Sequence, residues 1–211
     1  MSAAIVPSSR RVRLLLAGLA AVAVLLLTYA SGVVSAGLYS PGDNSPEAGF
    51  VRDMSLHHAQ AVEMGMLAYQ KATDPEVRKE GYDIALTQEN QRGMMKAWLD
   101  KWHVSRTSIN PPMSWMPGGS AMMSQDGRMP GMASDEELTK LNTATGKDFD
   151  ILFCQLMTRH HLGGIHMADE ILKQSDNPDI LMLVQSMKSG QQNEINIFNS
   201  ILARLGAKPT Q

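Results

Sequence analysis

Two segments of this chain repeat each other at a constant offset of 103 residues, without a gap. Phe50, Met54, His57, His58, Met64 and Pro75 recur as Phe153, Met157, His160, His161, Met167 and Pro178. The match runs on from Gln88 to Gln191, from Asn90 to Asn193 and from Leu99 to Leu202. A stretch long enough for two helices has been written twice, so the chain must fold as two like units packed together. Paired histidines and methionines are kept in both copies, and such soft and imidazole donors point towards metal handling.

Helix signals fall at matching places in the two copies. Ser45 can cap a first helix with Pro46 at its first position, running to about Gln70. Asp74-Pro75 and Asn177-Pro178 give the same start to the second helix of each copy, and Gly206 fits a terminal left-handed position. In the last helix Ile180, Val184, Met187, Gln191, Glu194, Phe198, Ile201 and Leu205 follow alternating steps of four and three, a packed seam with two polar members. Val77, Gly81, Ile84, Gln88, Gln91, Met95, Trp98 and Trp102 form the same seam with the polar break at the same height. The first helices place Phe50, Met54, His57, Ala61 and Met64, and Phe153, Met157, His160, Gly164 and Met167, along their seams. One histidine of each pair then lies on the seam, and its neighbour turns about 100° away. The expected fold is all-α: two duplicated hairpins joined into a four-helix bundle, with a Met/Gly/Pro-rich crossover insertion.

Counting from the turn near Ala72 sets His57 level with Gln88 on the antiparallel helix, roughly 22 Å up at 1.5 Å per residue, and sets His160 and His161 level with Gln191 and Glu194. The bundle should therefore hold one mid-height layer of histidine, glutamine and glutamate. Burying such groups costs a few kcal/mol each unless they pair or coordinate something. A metal ion is one answer, with candidate ligands His57, His58, His160, His161, Met54, Met64, Met157, Met167 and Glu194, and with Gln88, Gln91 and Gln191 around them. Thioether sulfur and neutral imidazole favour copper, Cu(I) above all, with Cu(II) served by imidazole and Glu194. Protonation of histidine should weaken binding as pH falls through about 6. A closed hydrogen-bond network is the other answer, and it would make the layer a device for helix register in an envelope interaction module. A di-metal oxidase is the third reading, but that site wants Glu-x-x-His from two helices. None lies near either pair, and Glu194 is the only seam carboxylate. No nucleophile with an oriented base and no phosphate-binding glycine loop is present either, so no enzyme is expected. His166 stands in the place of Glu63, off the seam, while His103 and Cys154 read as structural.

Between the copies, Met113, Met116, Met122, Met123, Met129 and Met132 stand among Gly, Pro and Ser in a segment that reads as loop. Such a loop either captures soft metal ions or packs as an apolar cover. Ser134-Asp135-Glu136-Glu137 then makes a capping box for a short helix, broken by Gly146.

The N-terminus carries Arg10, Arg11 and Arg13 and then no charge from Leu14 to Leu38. That is an export signal or an N-terminal transmembrane anchor, with Val34-Ser35-Ala36 as a small-residue cleavage site and the rest of the chain outside the cytoplasm. Residues 1–39 make this segment, 40–45 a linker and 46–211 the helical domain, divided into repeat one (46–103), insertion (104–133) and repeat two (134–206). With 21 acidic against 19 basic residues and no basic stripe, nucleic acid is not an expected partner. The partners expected are a metal ion and, through the N-terminal segment, the membrane; no protein partner is indicated. Cys154 is the only cysteine, which excludes an internal disulfide and a thiolate-rich zinc site.

At Asp53 to Ala61, Met129-Pro130-Gly131-Met132, Phe149-Asp150 through Met157, His160-His161, Met167-Ala168, and Gln191 with Glu194, the chain resembles the DUF305 family. The resemblance spans Phe50 to Leu205. It implies a ferritin-like helical fold in an exported or membrane-anchored protein and, as in some members, extracytoplasmic copper binding and support of copper resistance. The sequence departs from the family pattern at Leu162-Gly163 and at Gln91, where a glutamate matching Glu194 is expected. The second departure makes the two halves chemically unequal.

Overall fold

The computed structural model describes residues 10–38 and 40–209. Among them are six α-helices and one short 3-10 turn, Gly119–Met122, with no strand. The chain divides into two compact units, Met1–Ser40 and Pro41–Gln211.

The described part of the first unit is α1, Arg10–Leu38. Its stretch Val12–Gly32 is long and apolar enough to cross a membrane, and it fits a signal peptide or an anchor. Val34-Ser35-Ala36 lies within this helix, while residues 1–9, 39, 210 and 211 lie outside the described part, and with them the outer ends of the expected segments.

The second unit holds α2 (Pro46–Lys71), α3 (Pro75–Lys101), α4 (Asp135–Thr143), α5 (Gly146–Ile171) and α6 (Pro178–Arg204). Side-chain caps start most of these helices. Ser45 accepts from the Ala48 N–H, Asp74 from Glu76 and Val77, and Asn177 from Asp179 and Ile180, each followed by proline at a position whose missing N–H costs nothing. Ser134 and Glu137 form the capping box of α4, and Gly146 opens α5 at φ +58°. The C-terminal caps repeat as well. Gly206 N–H bonds Ala203 O and Ala207 N–H bonds Leu202 O, while His103 N–H bonds Asp100 O and Val104 N–H bonds Leu99 O. His103, at φ +56°, therefore does the work of Gly206 in the first copy.

α2 packs along α3 and α5 along α6; α2 meets α5 across the two hairpins, and α3 meets α6 more thinly. Two apolar cores lie along this assembly. One joins Phe50, Met54, Met95, Trp98, Met167, Ile180, Val184 and Met187; the other joins Ala61, Met64, Ile84, Phe153, Met157, Phe198 and Ile201. On every one of the four helices the residues between the two cores are the polar ones: His57 and His58, Gln88 and Gln91, His160 and His161, Gln191 and Glu194. The phenylalanines Phe50, Phe149, Phe153 and Phe198 are fully buried, each worth about 2–3 kcal/mol.

The insertion is loop apart from its 3-10 turn, and it packs. Met113, Met116 and Met129 are buried in the first core, Met123 and Met132 lean on it, and Met122 alone of the six is largely exposed. Trp115 stands edge-on to Phe50 at 5.6 Å.

Candidate metal centre

Both histidines of each pair are buried, the second as completely as the first: His57, His58 and His161 are 0 % exposed and His160 1 %. The second histidine of each pair, turned about 100° from the seam, is buried as well because each helix has two neighbours. The first histidine of each pair points across the hairpins, so the rings of His57 and His160 lie 3.8 Å apart between centroids. The second points at the partner helix of its own hairpin. His58 Nε2 donates to Oε1 of Gln91 at 2.8 Å, and Glu194 Oε2 lies 2.5 Å from His161 Nε2. These two contacts are related by the repeat, Gln91 standing where Glu194 stands. The second is a close approach outside hydrogen-bond angles, so His161 Nε2 has a neighbour without a bond.

Gln88, expected opposite His57, is not its partner. His57 Nε2 instead donates to the Pro130 carbonyl of the insertion at 3.1 Å. The segment 129–133 is strapped over α2 and α5. Gln60 accepts from Ala133 N–H at 2.7 Å and donates to Ala133 O at 3.0 Å, and Gly131, at φ +82°, passes so close that a Cβ there would meet the Arg159 carbonyl oxygen at 2.5 Å. A Cβ at Gly163 would overlap the Pro130 carbonyl oxygen, so this close approach requires glycine.

Six ring nitrogens of the four histidines are buried without a hydrogen bond: Nδ1 of His57 and His58, and both nitrogens of His160 and His161. The Oε1 atoms of Gln88 and Gln191 are orphaned in the same layer, the latter against the Cα of Gly164, where a Cβ would come within 2.7 Å. Burial away from water pushes His57 down to about 4, His58 to about 3 and His160 well below its usual value, with neighbouring imidazoles adding to the effect. At neutral pH these rings are uncharged, and the Nε2–H bonds of His57 and His58 leave Nδ1 of each with a free lone pair. Proton competition is thereby moved well below the pH near 6 that unperturbed histidines give. This donor set fits a soft cation that accepts imidazole.

The methionines sit on either side of this layer, Met54 and Met167 in one core and Met64 and Met157 in the other, all 0 % exposed. Among the described residues no group of three or more His, Cys, Asp or Glu side chains is arranged to hold a metal ion. Cys154 is buried, its thiol pushed far up by desolvation, and takes no part. His166 is half-buried on α5.

Three buried carboxylates escaped the seam pattern. Asp53 accepts from Met113 N–H at 2.6 Å and Trp115 Nε1 at 2.8 Å, and burial raises its pKa; Asp150 holds Thr73 and the Asp74 N–H at the first hairpin turn; Glu80 is also buried. Asp53 lies within the family-like motif, and that was the one signal that could have marked it.

Residues 47–202 match the family described as a domain of unknown function, DUF305. A solved DUF305 protein from Streptomyces coelicolor is 44% identical, with a TM-score of 0.73 over 81% of this chain and 99% of that one. A DUF305 fragment from Deinococcus radiodurans is 29% identical, with a TM-score of 0.63 over 78% and 99%. CopM in its Cu(II)-bound form is 28% identical, with a TM-score of 0.58 over 76% and 97%. The same protein, solved with Cu(I) bound, aligns at 24% identity and a TM-score of 0.58, a likeness of fold. No curated protein matches the chain. The chain belongs to the DUF305 family.

Proposed function

We propose that this protein binds metal outside the cytoplasm, taking copper in the histidine layer of a ferritin-like four-helix bundle and buffering it there. α1 holds the domain at the membrane or directs its export. The observation that carries the reading is the set of six buried ring nitrogens without a hydrogen bond between two apolar cores, because imidazole lone pairs kept from water and from donors are left with coordination as their outlet. Cu(I) suits the site best, since it is content with few ligands and accepts thioether from Met54, Met64, Met157 or Met167. Cu(II) would call on Glu194. The Cu(II)-bound form of CopM supports the metal class. The insertion methionines act mainly as a cover for the bundle, and the role is binding, not catalysis.

A second reading has its own observation: His57 and His58 already each make one hydrogen bond, so the layer is a partial network that fixes helix register. An anaerobic Cu(I) competition titration separates the two. Residues 41–211 are compared with a variant in which His57, His58, His160 and His161 are all alanine, both checked for helicity by circular dichroism. Tight binding lost in the folded variant supports the copper layer. Binding retained moves the metal to the insertion, and no tight binding by the wild-type chain leaves the layer as architecture.

A further inference from the structure

We infer that the groove between α3 and α6 is the entrance through which a soft cation reaches the histidine layer, with Glu194 as the first group to hold it. The inference rests on the copper reading above and adds the route and the receiving residue.

The layer is closed on one side and open on the other. Across α2 and α5 the strap 129–133 seals it: the Pro130 carbonyl caps His57, two bonds tie Gln60 to Ala133, and Gly131 and Gly163 allow backbone to lie against backbone. Across α3 and α6, the thinly packed pair, a cavity of about 110 Å³ opens at the height of the layer. Its floor is Gln88, Gln91, Gln191 and Glu194, and exposed Thr87 and Ser186 stand on its rim. At about 30 Å³ per water, this is room for a cation that has kept part of its hydration shell.

Two of the wall residues already touch the rings behind them. Gln91 bonds His58 and Glu194 lies against His161 Nε2, a nitrogen without a hydrogen bond, so an ion held by Glu194 is one ligand exchange from an imidazole. The Glu194 side chain is 19% exposed while His161 is fully buried, so the carboxylate bridges solvent and ring. It supplies the only formal charge in the cavity wall, and a low-dielectric recess focuses that charge on arriving cations. The cleft beside α2 and α3 sets Arg52, Arg92, Lys96 and Arg106 against a single carboxylate, Asp53, a cationic excess that repels a cation. The one-sided carboxylate also gives the inequality of Gln91 and Glu194 a purpose: the ion is received on the α6 side.

The test is stopped-flow transfer of Cu(I) from a coloured chelator to the full chain in detergent, paired with the equilibrium affinity. In the double variant Thr87→Trp with Ser186→Trp the indoles cover the mouth without touching the layer. Uptake and release should both slow about tenfold while the affinity stays that of the wild type, because a blocked path changes neither end state. Ser186→Arg, a single exposed change, should slow uptake at low salt and approach the wild-type rate at high salt, where the added charge is screened. Gln60→Ala, which loosens the strap, should leave uptake unchanged. Wild-type rates in both rim variants with affinity intact, or faster uptake in Gln60→Ala, overturn the route alone. No equilibrium binding by the wild-type chain overturns the copper reading and the route with it.

Discussion

Acidification should destabilise this domain far above the pH at which its carboxylates titrate. His57 is lowered from 6.5 to about 4 and His58 from 6.5 to about 3, in both cases chiefly by burial. Because the folded values lie below the unfolded one, the unfolded chain takes up protons first, and stability is lost as pH falls from about 6.5 towards the folded values. Between about pH 7 and about pH 5 each ring contributes a loss of about 2 kcal/mol, so the two together remove about 4 kcal/mol. His160, also pushed well down, adds to the loss in the same direction. Asp53 and Glu80, raised by burial, act with the opposite sign and offset part of it. Against a total of about 5–15 kcal/mol for a domain, this is a large fraction. Urea unfolding of residues 41–211, followed by the fluorescence of Trp98, Trp102 and Trp115 at several pH values, measures it. His57→Phe should flatten the slope of stability against pH, whatever it does to stability itself. An unfolding free energy constant to within about 1 kcal/mol over this range would refute the placement of neutral, dry imidazoles in the layer.

Three further outcomes follow from single contacts. Asp53→Ala strands the N–H groups of Met113 and Trp115 and should cost about 3 kcal/mol in urea unfolding, with faster proteolysis of the insertion; Asp53→Asn, which can still accept, should cost clearly less. Gly163→Ala drives a methyl into the Pro130 carbonyl and should cost about 1–3 kcal/mol, with trypsin cutting sooner after Arg128 as the strap lifts. His103→Gly should raise stability by about 0.5–1 kcal/mol, read as a higher melting temperature, because a left-handed cap position strains any residue with a Cβ.

Much of this architecture is legible in the sequence because it is periodic or repeated. The offset linking His57 to His160 announces two like hairpins, and the caps at Ser45, Asp74 and Asn177 with their prolines fix where helices begin. The seam arithmetic also places the polar residues between two apolar cores. It turns His58 and His161 about 100° from the seam without naming what they meet, because a seam describes one buried face and these helices bury two. It assigns Gln88 to His57 from height alone, whereas the bond goes to Pro130, 73 residues away along a segment with no period to read. For the same reason the sequence leaves the methionine-rich insertion open between capture arm and cover, while the structure buries Met113, Met116 and Met129. Asp53 carries no pattern that joins it to Trp115; only the path of the loop does.

The most direct test of the copper layer is the X-ray absorption spectrum of the protein loaded anaerobically with one equivalent of Cu(I). Imidazole nitrogen should appear in the first shell, visible through the multiple scattering of the ring, and should disappear when His57, His58, His160 and His161 are replaced. A first shell of sulfur alone, unchanged in that variant, would contradict it and place the metal among the methionines instead.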